Sequence, residues 1–133
     1  MVKVAVVTGS SSGIGYETSL LLARNQFKTY STLRNLNKSE KLREIASREK
    51  IPLHIAQLDV IDDISVENAI DSIIKENGRI DLLVNNAGYD LFGSLEEARI
   101  DEIRKQFETN FFGIVRVTKA AIPTMRKQRS TSI

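Results

Sequence analysis

Thr8-Gly9-Ser10-Ser11-Ser12-Gly13-Ile14-Gly15 decides how the rest of the 133-residue chain is read. Val2 to Val7, just before it, is a run of small and β-branched residues and reads as a buried strand. Just after it, Ile14, Thr18, Leu21 and Leu22 fall on one face of a helix running from Ile14 to about Arg24. A strand therefore feeds a glycine-rich turn that opens a helix. The first turn of a helix carries amide donors with no intrahelical acceptor, and the helix dipole favours an anion there. Glycines let the backbone turn tightly and come close to a phosphate. Gly9, Ser10, Ser11, Ser12, Gly13, Ile14 and Gly15 are thus candidate phosphate contacts. The plainer alternative is a Ser/Gly-rich turn that only caps a helix.

Bulk properties narrow the class. The length fits one domain with a real core, and a hydrophobic fraction of 41% is ordinary for a globular protein. There is no cysteine, so disulfides and thiolate metal sites are excluded, and a reducing, cytoplasmic setting is the natural expectation. No apolar run approaches the roughly 20 residues needed to span a bilayer. A net charge of +2 gives no support to a nucleic-acid partner. The lone His54 has neither a cysteine partner nor a carboxylate at ligand spacing, so no metal site is expected.

The chain then alternates strand and helix. Phe27 to Leu33 reads as a second strand, 38–50 as a helix with a solvated charged face, and Pro52 to Leu58 as a third strand. Asp62 or Asp63 caps a helix whose apolar stripe is Val66, Ala69, Ile70, Ile73 and Ile74, and Asn77-Gly78 stops it. Ile80 to Val84 is a fourth strand. After a loop, a long helix from about Glu96 to Met125 carries a stripe of Ile100, Ile103, Phe107, Phe111, Ile114, Val117 and Ala121, with Pro123 near its end.

The spacing Gly-x-x-x-Gly-x-Gly differs from the Gly-x-Gly-x-x-Gly of other dinucleotide folds. Together with Leu58-Asp59-Val60, Asn85-Asn86-Ala87-Gly88 and Asn110 in the long helix, in that order, it resembles the short-chain dehydrogenase/reductase family. The resemblance runs from Met1 to about Arg129 and covers about the first half of a family member. It implies a Rossmann-like α/β fold, a doubly wound parallel sheet in order 3-2-1-4, truncated after the fourth strand and long fourth helix. Residues 1–133 would form a single, incomplete dinucleotide-binding domain. By the same resemblance, Asp59 accepts from the adenine amino group and the Val60 amide reads the ring edge. Asn86, Ala87 and Gly88 line the ribose and nicotinamide side, and Asn110 holds water in a proton relay. A buried Asn bonding backbone is a compatible reading of Asn110.

The end of the second strand bears on the cofactor. Dinucleotide folds that take the non-phosphorylated cofactor place an acid here, on the ribose hydroxyls. This chain has no acid from Phe27 to Ser39 and has Arg34 instead, whose guanidinium suits a 2′-phosphate. NADP(H) over NAD(H) is the expectation, against the alternative of a solvated loop charge.

The family's proton chemistry uses a Ser and a Tyr with a Lys four residues on, because a nearby cation lowers the phenol's pKa toward neutrality. Tyr16, Tyr30 and Tyr89 are followed at that spacing by Leu20, Arg34 and Gly93, so none supplies the pair. A complete member would pass hydride between nicotinamide and a small carbonyl or alcohol. The chain alone is expected to bind with little turnover, and the alternative is a non-catalytic dinucleotide-binding or oligomerising module. The basic tail, Arg126 to Ile133, resembles the loop before a fifth strand. An exposed fourth-strand edge and apolar helix faces would favour a homodimer or higher oligomer.

Overall fold

In the computed structural model, which describes residues 1–129 and 131–133, four short parallel strands form one sheet. They are β1 (Val4–Val7), β2 (Lys28–Leu33), β3 (Leu53–Gln57) and β4 (Leu82–Val84), in the order β3-β2-β1-β4. Val6 pairs with Tyr30 on one side and Leu83 on the other. Helices α1 (Gly13–Arg24) and α2 (Glu40–Glu49) cover one face, where Leu20, Ala23, Leu33, Leu42 and Leu53 form a core. Helix α3 (Asp63–Asn77) covers the other, its Val66, Ile70 and Ile73 in one core cluster with Val4, Val6, Tyr30 and Leu83 of the strands. Each β-rich run is separated from the next by a helix, which makes the connections parallel crossovers, and the order is the 3-2-1-4 that the resemblance implies.

The turn chemistry around α3 agrees with the sequence. Asp62 Oδ1 accepts from the Ile64 and Ser65 amides at 3.0 and 3.1 Å, and Gly78 closes the helix in the left-handed region. His54 lies exposed on β3, its ring stacked on Tyr30 at 5.2 Å, and partial burial pushes its pKa down.

Two expectations are corrected. The inward face of α1 is Gly15, Ser19, Leu20 and Ala23, whereas Ile14 and Leu21 are 79% and 61% exposed. Close helix–sheet contact admits the small Gly15, Ser19 and Ala23 beside Leu20 on the inward face and leaves Ile14 and Leu21 on the outer side. The long helix also begins later and is not uniform. Ser94 to Glu97 form a turn, α4 runs Ile100–Phe107, a π turn occupies Glu108–Phe112, and α5 runs Gly113–Gln128 with Pro123 inside it. A π turn adds one residue to the spiral and rotates everything after it. The single stripe is therefore split at the π turn: Gly113, Val117, Ala121 and Met125, after it, face inward, while Phe107 and Phe111, before and within it, are exposed; Ile114, in the first turn of α5, is exposed as well.

The β4 edge carries a first residue of further pairing. Ser132 bridges Leu82 in parallel, its amide donating to Asp81 O at 2.9 Å and its carbonyl accepting from the Leu83 amide at 3.0 Å. Ser130, within the basic tail, lies outside the described residues.

Candidate functional site

All the turns singled out in the sequence leave the carboxyl ends of the strands. The chain winds outward from β1 to β2 and β3, then crosses back to place β4 on the other side of β1. The crevice between the turns after β1 and β4 is thus the topological switch point, where open α/β sheets take ligands.

One hydroxyl joins those two turns. Thr8 Oγ1 accepts from the amides of Asn86 and Ala87, both at 3.0 Å, and the Asn86 side-chain amide donates to the carbonyls of Thr8 and Gly9, also at 3.0 Å. The packing leaves no room for side chains. Gly9 has φ +65°, and a Cβ on it would stand 2.7 Å from the Ala87 Cα. A Cβ on Gly15 would overlap the Asn86 side-chain amide and the Gly9 carbonyl. These glycines are required by the protein's own turns.

The outer side of the turn is open. Gly13 has nothing within 4 Å of a Cβ position, and the exposed Ile14 side chain stands beside it. Ser12 is the N-cap of α1, yet no side chain caps the helix. The three serines divide the work: the buried Ser10 Oγ donates to Val7 O at 2.9 Å and also receives a hydrogen bond from Ser19, which turns it away from the crevice. Ser11 is half-buried and Ser12 exposed. The Ser10 amide donates to Thr32 O at 3.0 Å, which sets the end of β2 beside the turn. Arg34 follows that end, exposed and without an ion-pair partner among the described residues.

The turn after β3 is built from its own side chains. The Asp59 amide donates to Ser65 Oγ at 2.9 Å, Ser65 donates to Gln57 Oε1 at 2.8 Å, and Asp59 Oδ1 accepts from the Ile61 amide at 3.2 Å. Val60 is buried, and its carbonyl accepts from Arg116 at 2.8 Å. Beyond β4, Asn85 donates to Thr118 Oγ1 at 3.1 Å. Asn110, in the π turn, accepts from the Tyr89 amide at 3.0 Å and donates to the Tyr89 carbonyl at 2.7 Å. Gly88 lies against it, with the Asn110 Oδ1 3.0 Å from a Cβ position. The Asn110 side chain therefore bonds backbone, and in doing so pins the chain just past the Asn85–Gly88 turn.

The structure brings Gly9 to Gly15 and Asn86 to Gly88 together directly, and places Arg34 and the Asp59-Val60 turn along the same sheet edge. Thr8 and Arg116 carry contacts that the sequence reading did not single out. Thr8, just past β1, opens the glycine-rich stretch, but nothing in the sequence gives its hydroxyl a role. Arg116 is the one charge within Ile114-Val115-Arg116-Val117, an apolar setting that calls for a partner. Among the described residues there is no cluster of three or more His, Cys, Asp or Glu able to hold a metal, and no helix is long and apolar enough to cross a membrane.

A doubly wound sheet with a glycine turn at its switch point defines a Rossmann-like nucleotide-binding fold. The chain belongs to the short-chain dehydrogenase family, whose model, described as short chain dehydrogenase, matches residues 3–133. It is 41% identical over 133 residues to the uncharacterized oxidoreductase YusZ of Bacillus subtilis, covering 98% of this chain and 47% of that protein. It is also 41% identical over 136 residues to retinol dehydrogenase 8 of Homo sapiens, covering 98% of this chain and 42% of that protein. The solved alcohol dehydrogenase of the archaeon Thermococcus sibiricus, complexed with 5-hydroxy-NADP, matches with a TM-score of 0.88 at 31% identity, over 96% of this chain and 55% of that one. The chain spans about half the length of the curated relatives it matches.

Proposed function

We propose that the crevice binds NADP(H) in preference to NAD(H), as the cofactor-binding part of an oxidoreductase acting on a small carbonyl or alcohol. The observation that carries this reading is the opening of α1: three serines precede it, and none caps it. Its first amides have no helical acceptor, at the positive end of the helix dipole, under an open glycine. A pyrophosphate fits that donor set.

The other roles belong to the same proposal. Gly9, Ser11, Ser12, Gly13, Ile14 and Gly15 frame the pyrophosphate side, with Ser10 holding the turn from within. Arg34, with no carboxylate pairing it among the described residues, takes the 2′-phosphate. Asp59 and the Val60 amide meet adenine, and Asn86, Ala87 and Gly88 line the ribose and nicotinamide. The bound nicotinamide supplies the hydride chemistry; the chain supplies position. Asn110 orders water for proton transfer in a protein that also provides a Ser and a Tyr-x-x-x-Lys. Within these residues no tyrosine has that lysine, so turnover is proposed only alongside such a group. Homo-oligomerisation through the outward Phe107, Phe111 and Ile114, and a cytoplasmic setting for a cysteine-free chain, complete the reading.

Titration of the chain with NADPH and NADH, followed by heat or fluorescence, tests it, with Gly13→Trp as the blocked control. Tighter NADPH binding that the control loses supports the proposal. Equal failure of both nucleotides with a folded wild-type chain overturns it. Arg34→Asp should reverse the preference between the two nucleotides, and an unchanged ratio removes Arg34 from the account.

A further inference from the structure

Arg116 sits in α5 with its side chain 23% exposed, and its guanidinium meets three groups from separate parts of the chain. Nη1 donates to Val60 O at 2.8 Å, Nε lies 2.5 Å from Asp63 Oδ1, and Nη2 pairs with Glu108 Oε1. Val60 ends the turn after β3, Asp63 opens α3, and Glu108 opens the π turn that contains Asn110. A planar guanidinium presents its donors in a fixed fork, so these three acceptors are held in one mutual arrangement. A lysine in the same place would reach one of them at a time.

Val60 is also gripped through its side chain. Gly113, one turn before Arg116, leaves a gap that Val60 fills, for a Cβ there would lie 2.8 Å from Val60 Cγ2. Carbonyl and side chain of residue 60 are thus both fixed by α5, which sets the direction of its amide and of the neighbouring Asp59. We propose that Arg116 is a positioning residue for adenine recognition: through the Val60 carbonyl it holds the Asp59-Val60 turn in the pose that reads the purine edge. This rests on the dinucleotide reading above, and it makes base discrimination a property of α5 as well as of the turn itself.

The test compares NADPH with its deaminated analogue, in which hypoxanthine replaces adenine and a carbonyl replaces the amino group. Wild-type chain should favour NADPH by about tenfold, the scale of one good hydrogen-bonding difference. Arg116→Lys and Arg116→Ala should weaken NADPH by about five- to tenfold while moving the analogue by about twofold or less, so the ratio collapses toward one. Added guanidinium should restore part of the ratio in the alanine variant. Glu108→Gln, which loosens one arm of the fork without touching Val60, should lower the ratio less, and serves if the Arg116 variants do not fold. A merely structural arginine would lower both affinities together, and a ratio as in wild type overturns the proposal. If the wild-type chain binds neither nucleotide, the dinucleotide reading itself fails; if it binds both equally, only the adenine assignment and this inference fail.

Discussion

Two helices open at the same edge of the sheet and treat their first amides in opposite ways. Helix α3 is capped from within, by Asp62 accepting two amides. Helix α1 has serines in the same neighbourhood but no side-chain cap, and the best-buried of them, Ser10, bonds the strand behind it. The physics of the two termini is the same; what differs is whether a short acidic side chain claims the donors. A terminus filled by its own chain is a structural joint, and one left open is a candidate anion site. The local sequence makes the choice, through Asp62 in one case and through Gly13 in the other.

Breaking the open turn should have the largest effect. Gly9→Ala adds a left-handed strain and a clash with the Ala87 backbone, so we expect a loss of about 3 kcal/mol in urea unfolding, with NADPH binding abolished. Next comes a carboxylate at the opposite end of the sheet that, like Asp62, serves the protein's own backbone. Asp81 Oδ2 accepts from the buried Val4 amide at 2.8 Å and from Arg79 Nε at 2.7 Å. Arg79 first, and the Val4 amide second among the favourable contacts, hold its carboxyl below the usual range despite burial. Because the folded pKa is depressed, this stabilisation is complete above the ordinary carboxylate pKa of about 3.9 and is lost as pH falls through the folded value. Asp81→Ala should cost about 2 kcal/mol at neutral pH and flatten the acid limb of a stability–pH curve.

Ser12→Asp turns the open terminus into a copy of the closed one. It should raise stability by about 0.5 kcal/mol and weaken NADPH by about tenfold, because the new carboxylate claims the donors and repels phosphate. A variant that binds as tightly as wild type would show that the α1 terminus is not the phosphate site. Asp62→Ala, the smallest change in binding, should cost about 1 kcal/mol of stability and leave nucleotide affinity within about twofold of wild type.

These contrasts also explain what was legible in the sequence. Strand and helix order, the α3 cap at Asp62 and the Gly78 stop are local, and local residue chemistry announces them. The inward faces of α1 and α5 are only partly local: close packing selects Gly15, Ser19 and Ala23 against the sheet and Gly113 against Val60, over the larger residues that periodicity favours, while Val117 and Ala121 lie inward as the periodicity has them. The π turn adds one residue that no composition rule flags, and it shifts Phe107, before it, out of phase with Val117 and Ala121, after it. In the site, glycine spacing located the first turn, and the family resemblance located the Asn85–Gly88 segment that faces it. Arg116 escaped because its partners, Val60, Asp63 and Glu108, come together only after α3 and α5 have packed.

The Thr8 hydroxyl has a consequence for the entropy of binding. By accepting both the Asn86 and Ala87 amides it makes the two lips of the crevice one rigid unit before any ligand arrives. Loops that must be ordered on binding subtract that ordering from the affinity, whereas a preformed crevice keeps it. The affinity of a ligand entering between these turns is then set by the donors it meets, and little of it is lost to arranging them.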